Sequence, residues 1–277
     1  MLRGGGLSTV RRGTYLAGDR PSDAHERHRL MVRAAVPEFA RGAVISHISA
    51  AVLHGLPSWR IPLDRVHVTR RRTNSGRRST TAHVHVATLA DDEVTCVDGI
   101  AVTSVERTVI DIARTAGFEQ GVVVADAALA GGLTDPDVLA RAVTAVMGRR
   151  GAPGARRTIC FADRRSESMG ESRSRVAIAA AGLPSPVTQW EVRDEDGRVV
   201  GRSDFGWPEQ GVAGEFDGRI KYGRLLRPGE SAADAVYREK RREDALREHL
   251  RTVVRWNWDD LDDFRAKAQR IRQALAP

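Results

Sequence analysis

At 277 residues, with 41% hydrophobic and 29% charged side chains, the chain can bury one or two cores and is too apolar to stay disordered over most of its length. Its formal net charge of +8, carried mainly by arginine, suits a polyanionic partner and equally fits a plain arginine-rich surface. No apolar run approaches the roughly 20 residues of a membrane span, and the start MLRGGGLSTVRRG lacks the apolar stretch of a secretion signal. Cys96 and Cys160 form no CxxC pair and no disulfide framework, so a cytoplasmic protein without a membrane partner is expected.

The segment STVRRGTYLAGDRP (8–21) sets a glycine and a basic tip between two β-prone runs and reads as a hairpin. DAHERHRLMVRAAVPEFARG (23–42) is helical, with Leu30, Val32, Ala35, Val36 and Phe39 toward a core and Gly42 as its stop. VISHISAAVLHGLPSW is a short strand or turn leading into a helix that ends near Gly55 and Pro57. RVHVTRRR and AHVHVATL alternate with period two, which predicts strands flanking the polar, arginine-rich loop RRRTNSGRRST. SVERTVIDIAR and GVVVADAALAGG are helices, the first opened by Ser104 with Arg107 and Arg114 on its polar side. TDPDVLARAVTAVM is another, with Thr134 or Asp135 as cap and Pro136 in the first turn.

GRRGAPGARRT (148–158), rich in glycine, proline and arginine, is the expected linker. Beyond it come a helix (SMGESRSRVAIAAAGL), a hairpin turning at Asp-Glu-Asp-Gly (PVTQWEVRDEDGRVVGRSDFGW) and a strand (GVAGEFDG). A long charged helix (AADAVYREKRREDALREHL), a strand (RTVVRWNW) and a closing helix (DDLDDFRAKAQRIRQAL) finish the chain. The predicted fold class is α+β or α/β, with a mixed sheet covered by helices in the second half. The expected division is 1–22, 23–147, a linker at 148–164, and 165–277.

Within VVGRSDFGWPEQGVAGEFDGRIKY (199–222), a two-residue loop at Glu209–Gln210 sets Asp204 directly across the ladder from Glu215. Such residues share a face with Cβ atoms about 4.5–5.5 Å apart, and Asp217, two residues further on, lies on that face as well. Crowded carboxylates repel unless a divalent cation or a shifted pKa relieves them, and an oxygen-rich group suits Mg²⁺ or Mn²⁺. A wider loop would instead splay the acids into solvent. Glu171, near the start of the preceding helix, could close such a site from one side. Ser168-x-x-Glu171 is also a capping box, and one carboxylate cannot fully serve both roles. His47 and His54 lie seven apart around a helix, and His83 and His85 share a strand face. With no cysteine or acid at ligand spacing, they read as surface or satisfied core histidines rather than zinc ligands. Trp190, Trp207, Trp256 and Trp258 read as core or sheet-edge residues.

Asp204, Glu215-Phe216-Asp217-Gly218, Lys221, KRREDALR and VVRWNW follow one another in the order of a known signature. Over residues 165–265 the chain resembles the PD-(D/E)XK restriction-endonuclease-like superfamily, in its very-short-patch-repair-like (Vsr-like) branch. The resemblance implies phosphodiester hydrolysis, with one or two Mg²⁺ (or Mn²⁺) ions on Asp204 and Glu215 and with Asp217, Lys221 and Glu171 around them. The lysine expected two residues after the second acid is replaced by Asp217. Lys221 stands where many relatives carry histidine, and Lys240 is an alternative lysine.

The N-terminal half carries VRRGTYL, SHISAAVLHGLP, VHVT, DGIAVTSVERTVIDIAR and ADAAL. These resemble actinobacterial proteins described as AbiEi-type antitoxins of type IV toxin–antitoxin systems, or transcriptional regulators of that kind. There a winged helix-turn-helix precedes the RRGxY segment, which is its wing, so residues 1–22 correspond to a partial wing. Either the true start lies upstream or the recognition helix is missing. DNA and a cognate toxin are the implied partners, with Arg11 and Arg12 on the wing and Arg70, Arg71, Arg72, Arg77 and Arg78 in the basic loop placed to contact phosphate. Two functions are therefore expected. One is a DNA-binding protein with Mg²⁺-dependent nuclease chemistry in defence or genome maintenance. The other is a non-catalytic antitoxin-like regulator that uses the nuclease fold to bind DNA or a partner.

Overall fold

The computed structural model describes residues 7–11, 14–19, 21–39, 42–70, 81–218, 234, 237, 246 and 248–277. The chain divides between Arg164 and Arg165 into two units, each with its own sheet and core. Both combine mixed sheets with helices, an α+β architecture. Among the described residues no helix is long and apolar enough to cross a membrane.

In the first unit, β1 (Leu7–Arg11) and β2 (Thr14–Ala17) pair as an antiparallel hairpin. Asp23 accepts the Glu26 N–H at 2.8 Å and starts α1 (Ala24–Ala35). Pro37 has no N–H to continue the helical ladder, so the helix expected to reach Gly42 tightens into a 3₁₀ turn at Val36–Glu38. Then come β3 (Ala43–Ile45), α2 (His47–Leu53), β4 (Val66–Arg70) and β5 (Ala82–Val86). A hairpin of β6 (Val94–Val97) and β7 (Ile100–Thr103) was not among the expected strands. It turns at Asp98–Gly99, whose φ values of 50° and 77° are those a type I′ turn demands. The sheet order is β5-β4-β3-β7-β6, with β4–β5 and β3–β7 parallel. Val32 and Ala35 of α1 pack on one face of this sheet against Ile45, Val66 and Val102.

Helices α3 (Val105–Thr115), α4 (Phe118–Ala130), α5 (Pro136–Ala145) and α6 (Ala152–Phe161) build two further clusters. Helix α6 occupies the stretch expected as a linker. Gly151 sits at its N-cap, and Pro153 and Gly154 fall in its first turn, where the missing proline N–H has no intrahelical partner to lose. Gly151 is left-handed there, and a Cβ would stand 2.3 Å from the Arg114 carbonyl oxygen. Ala155 and Thr158 are fully buried. Arg107, expected on the polar side of α3, is 3% exposed. Its guanidinium donates at 2.8 Å to both Asp111 and Glu93, the pairing that a buried charge requires.

The second unit runs α7 (Met169–Ala180), β8 (Val187–Arg193), β9 (Val199–Trp207), β10 (Val212–Asp217), β11 (Thr252–Asn257), α8 (Trp258–Asp262) and α9 (Arg265–Leu275). Strands β8, β9 and β10 form an antiparallel meander, and β11 joins β10 in parallel. The expected closing helix is two helices, because Asn257 caps α8 by accepting the Asp259 and Asp260 N–H groups and the chain leaves the helix at Asp263. The charged helix expected at 232–250 lies mostly outside the described residues. Phe205, Trp207, Val254 and Trp256 form the core with Ile178 of α7 and Ile271 of α9. Trp256 donates to Ser174 Oγ at 2.7 Å and Trp207 to the Pro184 carbonyl at 2.9 Å, so both buried indoles are satisfied. Trp190 and Trp258 are half-buried in this unit; Trp59 belongs to the first unit, as do the exposed, unpaired Cys96 and Cys160.

Candidate functional site

Strand β10 pairs Gly214 with Phe205 of β9, and the same register continued by one residue sets Glu215 opposite Asp204. The connecting turn is wider than expected, a 3₁₀ turn at Pro208–Gln210 closed by Gly211 at φ 61°. It is centred on the same Glu209–Gln210 bond, so the opposition survives the extra width. Glu215 pairs in parallel register with Arg255 of β11. On β8, Gln189 falls between Thr188, opposite Phe205, and Trp190, opposite Ser203. A polar row therefore crosses the sheet as Gln189, Asp204, Glu215 and Arg255. By alternation along β10, Glu215 and Asp217 share a face with Ala213, away from the Phe205–Trp256 core.

Each acid of the row is engaged. Glu215, 8% exposed, accepts from Arg255 Nε at 2.8 Å. Asp204 accepts the Phe216 N–H at 2.8 Å, a ladder donor that its own side chain satisfies. Asp217 is exposed at the end of β10, beside Asn257. Glu171 makes only half of the expected capping box: its N–H donates to Ser168 Oγ, while its carboxylate accepts from the Ser168 hydroxyl at 2.7 Å and from the Glu167 N–H at 2.9 Å rather than from the Ser168 N–H. Gln189 Nε2 adds a third donor at 2.8 Å, from a residue held at the uncommon φ of 55°. Among the described residues, no three carboxylate oxygens lie together at ion-binding distance. Protein donors thus reach one oxygen each of Asp204 and Glu215 and both oxygens of Glu171.

Lys221 and Lys240 lie outside the described residues, as do Arg12, Arg71, Arg72, Arg77 and Arg78. Arg11 ends β1, with its side chain outside the description; Arg70 is half-buried at the end of β4 and paired with Ala43 and Val86.

The sequence reading set the histidines aside as ligands, and the fold brings four of them together. His47 opens α2, His67 lies on β4, and His83 and His85 lie on β5. The parallel register pairs His67 with His83 and Thr69 with His85. The ring centroids of His47 and His85 stack at 3.5 Å, and those of His83 and His85 at 4.1 Å. Burial, and then the neighbouring His85, His67 and Arg107, hold His47 well below the ordinary imidazole range. Of the H-x-H pair on β5 only His85 joins the close set, with His67 from β4 and His47 from the start of α2, so the H-x-H spacing was a partial signal. His54 is separate, with Nε2 2.8 Å from the Thr103 carbonyl oxygen.

No family model matches this chain. It is similar to two uncharacterized proteins of Mycobacterium tuberculosis, from strains CDC 1551 / Oshkosh and ATCC 25618 / H37Rv, at 33% identity over 121 residues in each case. The match covers 44% of this chain and 44% of each relative, so the chain spans less than half the length of the relatives it matches.

Proposed function

We propose that the chain is a non-catalytic, DNA-binding regulator, in which the second unit uses a nuclease-type fold to hold DNA or a protein partner such as a cognate toxin. The observation that carries this reading is the Glu215–Arg255 contact at 2.8 Å, in which a guanidinium neutralises one of the two carboxylates that a metal-dependent hydrolase would turn to its cation. The net charge of +8 supports a polyanion as partner. Side-by-side placement of the acid-bearing strands β9 and β10, with β11 alongside, supports the nuclease-type fold. The two exposed, unpaired cysteines support a reducing cytoplasm as its compartment.

The opposition of Asp204 and Glu215 favours a second reading, a Mg²⁺- or Mn²⁺-dependent endonuclease. One experiment separates the two. The full chain is incubated with supercoiled plasmid and with mismatched and branched duplexes in Mg²⁺ or Mn²⁺, and its duplex affinity is measured across salt concentration. The expected result is no cleavage, with affinity falling steeply as salt rises. Cleavage that disappears in Asp204→Ala and Glu215→Ala would overturn the regulator in favour of the hydrolase. Affinity that ignores salt would remove DNA as the partner.

A further inference from the structure

The densest group of potential ligands in the described structure lies in the first unit, on elements that the reading above does not use. One nitrogen from each of His47, His67 and His85 falls within 4.8 Å of the others. His85 Nε2 and His67 Nδ1 are 3.1 Å apart. Two imidazole nitrogens on one tetrahedral ion, at the zinc–nitrogen distance of about 2.0–2.1 Å, stand roughly 3.3 Å from each other. The two rings share a hydrogen bond at this distance, and giving up its proton as a metal binds leaves the pair spaced as two ligands of one ion would be.

We propose that His47, His67 and His85 form a binding site for a divalent transition-metal ion of the zinc class. Nitrogen-only imidazole donors select Zn²⁺, Ni²⁺ or Cu²⁺ over Mg²⁺ or Ca²⁺. The surroundings are those of a built site. His47 Nδ1 lies 3.0 Å from Ser46 Oγ, and Ser46 Oγ in turn accepts from Thr69 Oγ1 at 2.8 Å. Ser46 and Thr69 are fully buried. A proton on Nδ1 shared with Ser46 leaves the lone pair on Nε2, which is how an outer hydrogen bond sets the tautomer of a ligating histidine. His47 also holds a left-handed backbone at φ 52°, and Arg60, which lines the same cavity, does so at φ 49°. Such conformations persist where the surrounding structure enforces them, and they gather at ligand sites.

The three imidazoles line a cavity of about 660 Å³ that also carries Arg60, Arg65, Arg114 and Arg150. Three protein ligands leave a coordination position open, the arrangement of zinc sites that receive a further ligand rather than of closed structural ones. His83 stands beside the group, its ring 4.7 Å from that of His67, without completing the close set.

The test uses the full chain with Cys96→Ser and Cys160→Ser, so that exposed thiols cannot hold metal. The protein is stripped with a chelator, and Zn²⁺ is titrated in against a chromophoric competitor. One Zn²⁺ per chain is expected, with affinity reduced about 100-fold or more in His47→Ala and in His85→Ala at an unchanged far-ultraviolet dichroism spectrum. His54→Ala keeps the affinity of the parent. Because a histidine variant can fail to fold, Co²⁺ is also titrated into the protein with all histidines intact, where saturable d–d bands of nitrogen coordination are expected. Absence of saturable Zn²⁺ and Co²⁺ binding overturns the proposal. So does binding that survives combined replacement of His47, His67 and His85.

Discussion

The Glu215 carboxylate and the Arg255 guanidinium meet at 2.8 Å across the parallel pair of β10 and β11, with Glu215 buried and Arg255 about one-third exposed. Removing one partner of such a pair leaves a desolvated charge, and the partial exposure of Arg255 moderates the cost. Arg255→Ala is expected to lower the unfolding free energy by about 1–3 kcal/mol near pH 7. Adding Glu215→Gln should recover part of that loss. A urea midpoint that does not move in the single variant refutes the coupling.

The buried triad of α3 is held more tightly. Arg107 and Asp111 are 3% and 1% exposed, and Arg114 reaches the second Asp111 oxygen at 3.3 Å. Asp111→Ala leaves the buried Arg107 with Glu93 as its remaining acidic partner, and about 2–4 kcal/mol of stability should go with it. The joint replacement Arg107→Met with Asp111→Leu should cost far less, since it removes both charges. Equal losses in the two proteins, measured by denaturant unfolding, would contradict this.

Gly170 lies in the first turn of α7, and a Cβ there would stand 1.9 Å from the Phe216 ring of β10. Helix propensity alone predicts that Gly170→Ala gains about 1 kcal/mol. The clash predicts a loss of about 1–3 kcal/mol. Packing should win, and Phe216→Leu should relieve part of the loss. A melting temperature raised by Gly170→Ala would show that α7 does not sit against β10 this closely.

His28 is fully buried, with Nδ1 3.0 Å from the Leu63 carbonyl and Nε2 2.8 Å from Ser49 Oγ. Burial holds its imidazole below the ordinary 6.5, against the Leu63 carbonyl and Asp64, which favour the charged form, while His25 adds to the lowering. The native state then binds fewer protons than the unfolded one between the native pKa and 6.5. This contribution to stability is present above pH 6.5 and is lost as pH falls, by at most about 1.4 kcal/mol per pH unit. Thermal melts from pH 7.5 to 5 should show the decline, with a shallower slope in His28→Gln. A slope unchanged by the substitution would assign the effect elsewhere.

What could be read from the sequence was local. Asp204 and Glu215 oppose each other because paired positions along an antiparallel ladder mirror about the centre of the turn, so even a misjudged turn width left the pairing intact. Arg255 could not be found this way, since β11 joins β10 in parallel after a long connection and nothing nearby sets its register. The histidine group was hidden for the same reason, its members arriving from α2, β4 and β5 through non-local pairing. Arg107 was placed at the surface by the ordinary preference of arginine, and its acid at i+4, Asp111, was the overlooked sign of a buried pair. The Asp98–Gly99 dipeptide between β-prone runs was a hairpin signal passed over.

Four of the five tryptophans, Trp190, Trp207, Trp256 and Trp258, belong to the second unit, while both cysteines belong to the first. The two units therefore carry separate native reporters. Intrinsic fluorescence follows chiefly the melting of the 165–277 unit, and an environment-sensitive dye attached to the already exposed Cys96 and Cys160 reports from the 1–164 unit alone. Whether the units melt together or in sequence can be read from one full-length chain, with no need to cut it.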